Sequence, residues 1–339
     1  MTSTASNYLP VREEWLALSR EEILEPELPI VDAHHHLFDR QGWTYLADDY
    51  VADASSGHNV RASVYMQAQT RYRDGGPDAF KPVGETEYVA SETCSEAGTL
   101  PEVAKGIVGH ANLSLGASVR EVLEAHVAAG RGRFRGIRHL TTWDADSTLL
   151  NTLSLASPGM LLRKDYREGF AQLAPLGLSY DAWLFFPQIE ELIDLAKAFP
   201  ETTIVLNHCG GVVRIAGYES RRAEVFASWS RSMRELARLP NVNVKLGGLG
   251  MRINGFGFEK GDLPPSSAHL AQAWRPWMET CIEAFGAGRC MVESNFPVDK
   301  GSYSYATGWN AFKRLTAGAS ATDKQLLFEG TAKRVYRLD

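Results

Sequence analysis

Pro29-Ile30-Val31-Asp32-Ala33-His34-His35-His36 is an apolar run that ends directly in three histidines. Its first residues have the apolar and β-branched character of a buried strand. A doubly wound open sheet would normally follow such a first strand with a glycine-rich turn for a nucleotide phosphate. Imidazoles stand there instead, which argues for a closed barrel whose strand ends carry chemistry.

Seven further runs of this kind follow, at 62–67, 104–111, 134–140, 178–186, 203–207, 242–246 and 290–294. Between them lie longer stretches with helical spacing. In 117–129, Val119, Val122, Leu123 and Val127 recur near i, i+3, i+4 and i+8, and 188–199 and 219–239 read the same way. Glycine and proline punctuate the units. Eight strand and helix units predict an α/β chain folded as one (β/α)8 TIM barrel. Residues 29–339 are expected to form the barrel, and 1–28 an N-terminal arm on its outside or bottom. The segment 251–267, MRINGFGFEKGDLPPSS, is a long loop after the seventh strand. Loops of that length are often functional, so Phe256 and Phe258 are expected to cover a site as a lid.

The 339 residues are 44% hydrophobic with a formal net charge of -6. That charge disfavours nucleic acid, which needs a concentrated cationic face. No apolar stretch approaches the length of a membrane span, and the start lacks the basic and apolar segments of a targeting peptide. The expectation is a cytoplasmic enzyme with a small-molecule partner. Cys94, Cys209, Cys281 and Cys290 are scattered and read as buried apolar residues, neither disulfide framework nor zinc ribbon. Trp274, Trp277 and the C-terminal helix near Tyr336 are expected to be exposed and to leave room for a homo-oligomeric interface.

In a barrel of this type the active site lies at the carboxyl ends of the strands. Strand alternation puts His34 and His36 on one face and His35 on the other. His208 directly follows the sixth strand and precedes a glycine pair. At the eighth strand Glu293 and Asn295 are expected to share a face, with Glu293 roughly 6 to 7 Å deeper. A carboxylate at that depth needs an imidazole, an arginine or a metal as partner. Arg71, Arg138, Arg214 and Arg252 follow or lie in strands and are expected to rim one mouth, with His139 beside Arg138. Such a cationic bias in an acidic chain suggests an anionic substrate. Gln67 ends the second strand, on the face of Tyr65, and with Tyr303 or Tyr305 could orient the substrate.

VDAHHHLFD (31–39), FRGIRH (134–139), VLNHCGG (205–211) and SNFPVD (294–299), in that order, resemble the amidohydrolase superfamily. The likeness spans essentially Pro29 to Arg334 and is strongest to the single-domain amidohydrolase-2 branch, which acts on sugar lactones and pyrone dicarboxylate lactones and includes decarboxylases. The resemblance implies that His34 and His36 bind metal or contact the substrate carbonyl, and that His208 is the later-strand histidine. It implies that Asp32 fixes the histidine tautomers. Asn295 matches a position usually held by Asp, which orients or deprotonates the attacking water. An amide cannot act as a base, so that task falls to Glu293 or to another carboxylate such as Asp181. The expected function is hydrolysis of a small anionic or polyhydroxylated lactone. A divalent ion, Zn²⁺ first, is held by His34, His36 and His208, or the site works without metal. Two alternatives stay open: a metal-dependent decarboxylase, and a ligand-binding protein whose turnover lapsed with Asn295.

Overall fold

The structure, a computed structural model, describes residues 8–40, 42–93, 99–149, 154 and 156–339. Eight parallel strands pair in chain order: β1 (Pro29–His35), β2 (Asn59–Met66), β3 (Glu102–Gly109), β4 (Phe134–Leu140), β5 (Ser179–Trp183), β6 (Ile204–Leu206), β7 (Val242–Leu246) and β8 (Cys290–Val292). The first and last meet just beyond β8. Asn295 N–H donates to His34 O at 2.9 Å, and His36 N–H donates to Phe296 O at 2.8 Å. With helices between the strands, the result is a nearly closed (β/α)8 barrel. The seam that closes it contains the histidine run itself. An antiparallel ribbon, Phe38–Arg40 with Trp43–Tyr45, leaves the end of β1.

The expected helices appear at Val119–Ala129, Ile189–Ala198 and Arg222–Leu236. In the first, Val127 is exposed and His126 fills the buried face. The His126 ring stacks on Phe134 at 5.0 Å, with Nδ1 2.8 Å from Thr86 Oγ1 and Nε2 2.9 Å from His110 O. Burial lowers its pKa from 6.5 to about 3. Because the folded value is depressed, the neutral ring contributes stability that is full above pH 6.5 and lost as pH falls toward 3. The stability advantage of wild type over His126→Gln is therefore expected to shrink by about 1.4 kcal/mol per pH unit below the unfolded pKa. Urea unfolding of both proteins at pH 7 and pH 5 checks this; an advantage independent of pH would refute it.

Val31, Ala33, Val64, Met66, Val108, Val205 and Met291 fill the barrel interior. Ala332, Val335, Tyr336 and Leu338 join the same cluster, so the helix Thr331–Tyr336 plugs the barrel beneath the histidines. Trp274 and Trp277 are also buried, against Tyr303 at 5.3 Å and Trp229 at 4.7 Å. The expected exposed surface at Trp274, Trp277 and Tyr336 is thus corrected: these rings cover the barrel of their own chain. Leu270, Trp274, Trp277, Met278 and Cys281 form a helical apolar stripe that binds the sheet rather than a partner. Cys209, Cys281 and Cys290 are buried free thiols, while Cys94 lies outside the described residues. Among the described residues, no helix is long and apolar enough to cross a membrane.

The arm takes a different course from the expected one. Trp15 Nε1 donates to Gly261 O at 3.0 Å, Arg12 to Glu259 O at 2.6 Å, and Glu13 pairs with Lys300 at 2.9 Å. It therefore runs across the loops that follow β7 and β8, at the mouth of the barrel. The lid assignment changes as well. Phe256 and Phe258 stack on each other at 5.2 Å, and Phe258 is buried near Trp274. Met251 and Ile253 of the same loop face the cavity instead.

Candidate active site

A cavity opens at the carboxyl ends of the strands. Phe38, Leu140, Trp183 and Phe185 form apolar walls, and His36, Gln67, Arg138, His208 and Asn295 supply polar groups. His34 lies just below, fully buried, with its ring 4.8 Å from that of His36 and 4.5 Å from that of His208.

The hydrogen-bond partners decide which nitrogens carry protons. His36 Nδ1 is 2.9 Å from Met66 O, and a carbonyl only accepts, so this nitrogen bears the hydrogen. His208 Nδ1 donates to Glu293 Oε1 at 2.7 Å. His34 Nδ1 lies 2.9 Å from Glu293 Oε2 without a hydrogen bond to it and 3.4 Å from Lys245 Nζ, an ammonium that can only donate, so this nitrogen accepts. The Nε2 atoms of His36 and His208 are then left with lone pairs, and the hydrogen of neutral His34 falls on Nε2. His34 Nε2 stands 3.1 Å from His36 Nε2, which can accept that hydrogen, and 3.2 Å from Arg138 Nη1. Burial holds His34 and His36 well below the usual imidazole range, aided by the positive charge of Lys245 and Arg138. Burial also lowers His208, although Glu293 pulls the other way. The rings are neutral at pH 7, so Glu293 accepts from the neutral His208 N–H.

Glycines make room for this arrangement. After β6 the chain enters the left-handed region at His208 (φ 55°) and Cys209 (φ 50°), which swings the imidazole out of strand alternation. A Cβ on Gly248 would lie 2.3 Å from His208 Nδ1, and one on Gly247 2.4 Å from Glu293 Cγ. Sequence reasoning passed over this pair, although two glycines immediately after a strand were the available signal. Gly248→Ala is expected to displace His208 and cut turnover by roughly 100-fold, since a shift of about 1 Å at a reacting group has that effect. Steady-state kinetics beside a thermal melt distinguish this from unfolding, and a folded variant with wild-type turnover would rule it out.

Asn295 departs from the expected geometry. β8 ends at Val292 and Asn295 has φ 55°, so Glu293 and Asn295 do not continue one strand face. Glu293 is fully buried beneath the imidazoles, while Asn295 lines the cavity. Asn295 Nδ2 donates to Asp299 Oδ1 at 2.9 Å, leaving its Oδ1 without a protein partner. Asp299 also accepts from Tyr303 OH at 2.7 Å and Gly250 N–H at 3.0 Å, and burial raises its pKa to about 7. Nothing in the sequence reading singled out Asp299.

Other expected site residues divide. Gln67 and Arg138 meet at the cavity, with Arg138 Nη2 2.9 Å from Gln67 Oε1. Tyr65 faces away from Gln67, its hydroxyl donating to Glu85 at 2.7 Å, because β2 stops at Met66 and the alternation with it. His139 points outward from β4, its ring 5.3 Å from Tyr166 and its Nδ1 accepting from Leu113 N–H at 3.3 Å. Arg71 pairs with Asp39 in solvent, Arg214 lies over Phe256 at 4.4 Å, and Arg252 is exposed. These three stand apart from the cavity lining, so the expected arginine rim reduces to Arg138 with Arg40, which sequence reasoning missed. Asp181 pairs with Lys245 at 2.8 Å inside the barrel and is far too committed to serve as a base. Asp32 reaches only the backbone N–H of His34 and otherwise accepts from Ser294, Tyr50 and Tyr305 across the β1–β8 seam. Tyr303 and Tyr305 are thereby occupied in the interior.

His34, His208 and Glu293 bring ligand atoms within 4.8 Å of one another, a buried candidate metal group among the described residues. His36 falls outside that group. The donor chemistry fits a divalent ion, since neutral imidazoles stand beside a buried carboxylate whose Oε2 has no hydrogen-bond partner.

A parallel barrel with imidazoles and a carboxylate gathered at its strand ends defines a class of hydrolytic barrel enzymes. The chain belongs to the amidohydrolase family, whose profile matches residues 31–338. It is 34% identical over 336 residues to the uncharacterized protein y4mH of Sinorhizobium fredii, covering 92% of this chain and 99% of that protein. To an L-fucono-1,5-lactonase of Burkholderia multivorans it is 27% identical over 318 residues, covering 91% and 96%. A solved amidohydrolase from Burkholderia multivorans with bound zinc superposes with a TM-score of 0.70 at 25% identity, covering 91% of this chain and 99% of that one.

Proposed function

We propose that this protein is a hydrolase that opens a small, neutral, hydroxylated lactone. The observation that carries this is the Glu293–His208 pair, which presents an imidazole lone pair to a cavity that also holds a buried guanidinium. The lactonase relative supports the substrate class. Preference for a neutral ring over a dicarboxylate rests on the arginines: three stand away from the cavity, Arg138 is already engaged by His34 and Gln67, and Arg40, whose Nη2 donates to Ala68 O, leaves a single Nε–H rather than a bidentate fork.

In this reading Glu293 keeps the hydrogen on His208 Nδ1, so Nε2 takes a proton from water as the water oxygen attacks the lactone carbonyl. Asn295 Oδ1 accepts the other water hydrogen and orients it. Arg138 stabilises the oxyanion by charge, its guanidinium being buried at the cavity wall. The acyl C–O bond then breaks, and His208 returns its proton to the ring oxygen, giving the hydroxy acid. A divalent ion such as zinc, which His34, His208 and Glu293 would hold, would supply Lewis acidity at the carbonyl and occupy His208 in place of its role as base.

A pH-indicator screen of aldonolactones and a pyrone dicarboxylate, beside elemental analysis of the purified protein, tests the reading. Acid release on hydroxylated lactones is expected. Carbon dioxide release without acid would replace it with decarboxylation.

A further inference from the structure

The arm is threaded into the active site rather than laid beside it. Tyr8 lines the cavity, its ring edge-on to Trp43 at 4.9 Å and to Phe38 at 6.3 Å. Phe38 and Trp43 belong to the ribbon that leaves β1 directly after His36. Arg40, from the same ribbon, also lines the cavity; its guanidinium lies 4.2 Å over the Phe38 ring and donates to Ala68 O. Its Nε is buried with no protein partner. A buried donor of this kind is costly unless something accepts from it.

The arm is held there by several independent contacts. Arg12 and Trp15 bind carbonyls of the loop after β7, and Glu13 joins Lys300 and Asp53 in an ion-pair cluster. Gly301 leaves the space Leu9 occupies, since a Cβ there would be 2.5 Å from Leu9 Cβ. The arm thus ties the neighbouring loops after β7 and β8 to the ribbon after β1 and packs Tyr8 on that ribbon.

We infer that Tyr8 and Arg40 form the specificity edge of the substrate site, with Arg40 Nε–H donating to an oxygen substituent of the lactone ring and Tyr8 packing on that ring. This rests on the lactone-hydrolase reading and extends it, because the groups acting on the carbonyl lie at the strand ends whereas this edge reads ring substituents. Both are binding residues, so their loss should appear in KM more than in kcat.

The test compares wild type, Tyr8→Ala, Arg40→Met and Arg40→Lys on two substrates, a polyhydroxylated aldonolactone and unsubstituted δ-valerolactone. Arg40→Met and Tyr8→Ala are expected to raise KM for the hydroxylated lactone at least ~10-fold more than for δ-valerolactone, as loss of one oriented hydrogen bond or ring contact does. Arg40→Lys, which retains charge but lacks the planar fork and the stacked Nε–H, should resemble Arg40→Met. Equal effects on both substrates, a fall confined to kcat, or unchanged KM would each overturn the assignment. If wild type opens no lactone, the hydrolase reading fails by itself. Calorimetric binding of the matching polyhydroxy acid to wild type and variants then still decides the edge: equal affinity overturns it, and weaker binding by Tyr8→Ala and Arg40→Met supports it.

Discussion

Glu293→Gln is expected to lower kcat by roughly 10²- to 10⁴-fold with little change in KM, the range seen when the carboxylate behind a catalytic imidazole becomes an amide. Glu293 Oε1 accepts from His208 twice, from Nδ1 at 2.7 Å and from the backbone N–H at 3.1 Å. An amide has one accepting oxygen and no charge, so His208 either faces an NH₂ group or keeps a weaker acceptor. In the first case the ring must turn its lone pair to Nδ1 and carry its hydrogen on Nε2, which removes the proton acceptor; in the second it loses the charge that stabilises its protonated form. His208→Asn should lose as much alone as combined with Glu293→Gln, because the two act as one unit. Single-turnover kinetics on variants with native melting behaviour provide the measurement. Turnover near wild type in Glu293→Gln would remove this residue from the mechanism.

The largest effect on stability is expected at Lys245, far from any surface. Lys245 and Asp181 are both fully buried, 2.8 Å apart, and Asp181 also accepts from Asn207 Nδ2 at 2.9 Å and from Tyr336 OH at 2.9 and 3.1 Å. Lys245→Met leaves a carboxylate in the barrel interior with its counter-ion gone, which costs about 3–5 kcal/mol. The double variant Lys245→Met with Asp181→Leu should recover much of that loss, since replacing a buried pair by apolar groups is often nearly neutral. Urea denaturation of the single and double variants measures both quantities. A single variant as stable as wild type would mean that the pair is not held as described. The same network links the C-terminal plug to His34 through Lys245, so the single variant should also lose activity.

The eight strands, their order and the closed barrel were legible because short apolar runs with chemistry at their ends are local features, readable from side-chain period and punctuation alone. The histidine run was legible as chemistry at a strand end, and His34 and His36 do share a side, but only because an irregularity between Asp32 and His35 resets the alternation that puts Val31 and Ala33 inside the barrel. The alternation rule even contained the answer for His139, whose neighbour Arg138 points inward, leaving His139 to face the helices. Beyond the last residue of a strand the rule stops. His208 and Asn295 both lie in the left-handed region, and their directions follow from backbone angles fixed by packing. The hole made by Gly247 and Gly248, the outward course of Arg71, Arg214 and Arg252, and the path of the arm across the mouth depend on contacts between segments far apart in the chain. Local sequence carries the period of an element, whereas the direction of a side chain after that element ends is settled only when distant atoms compete for the same space.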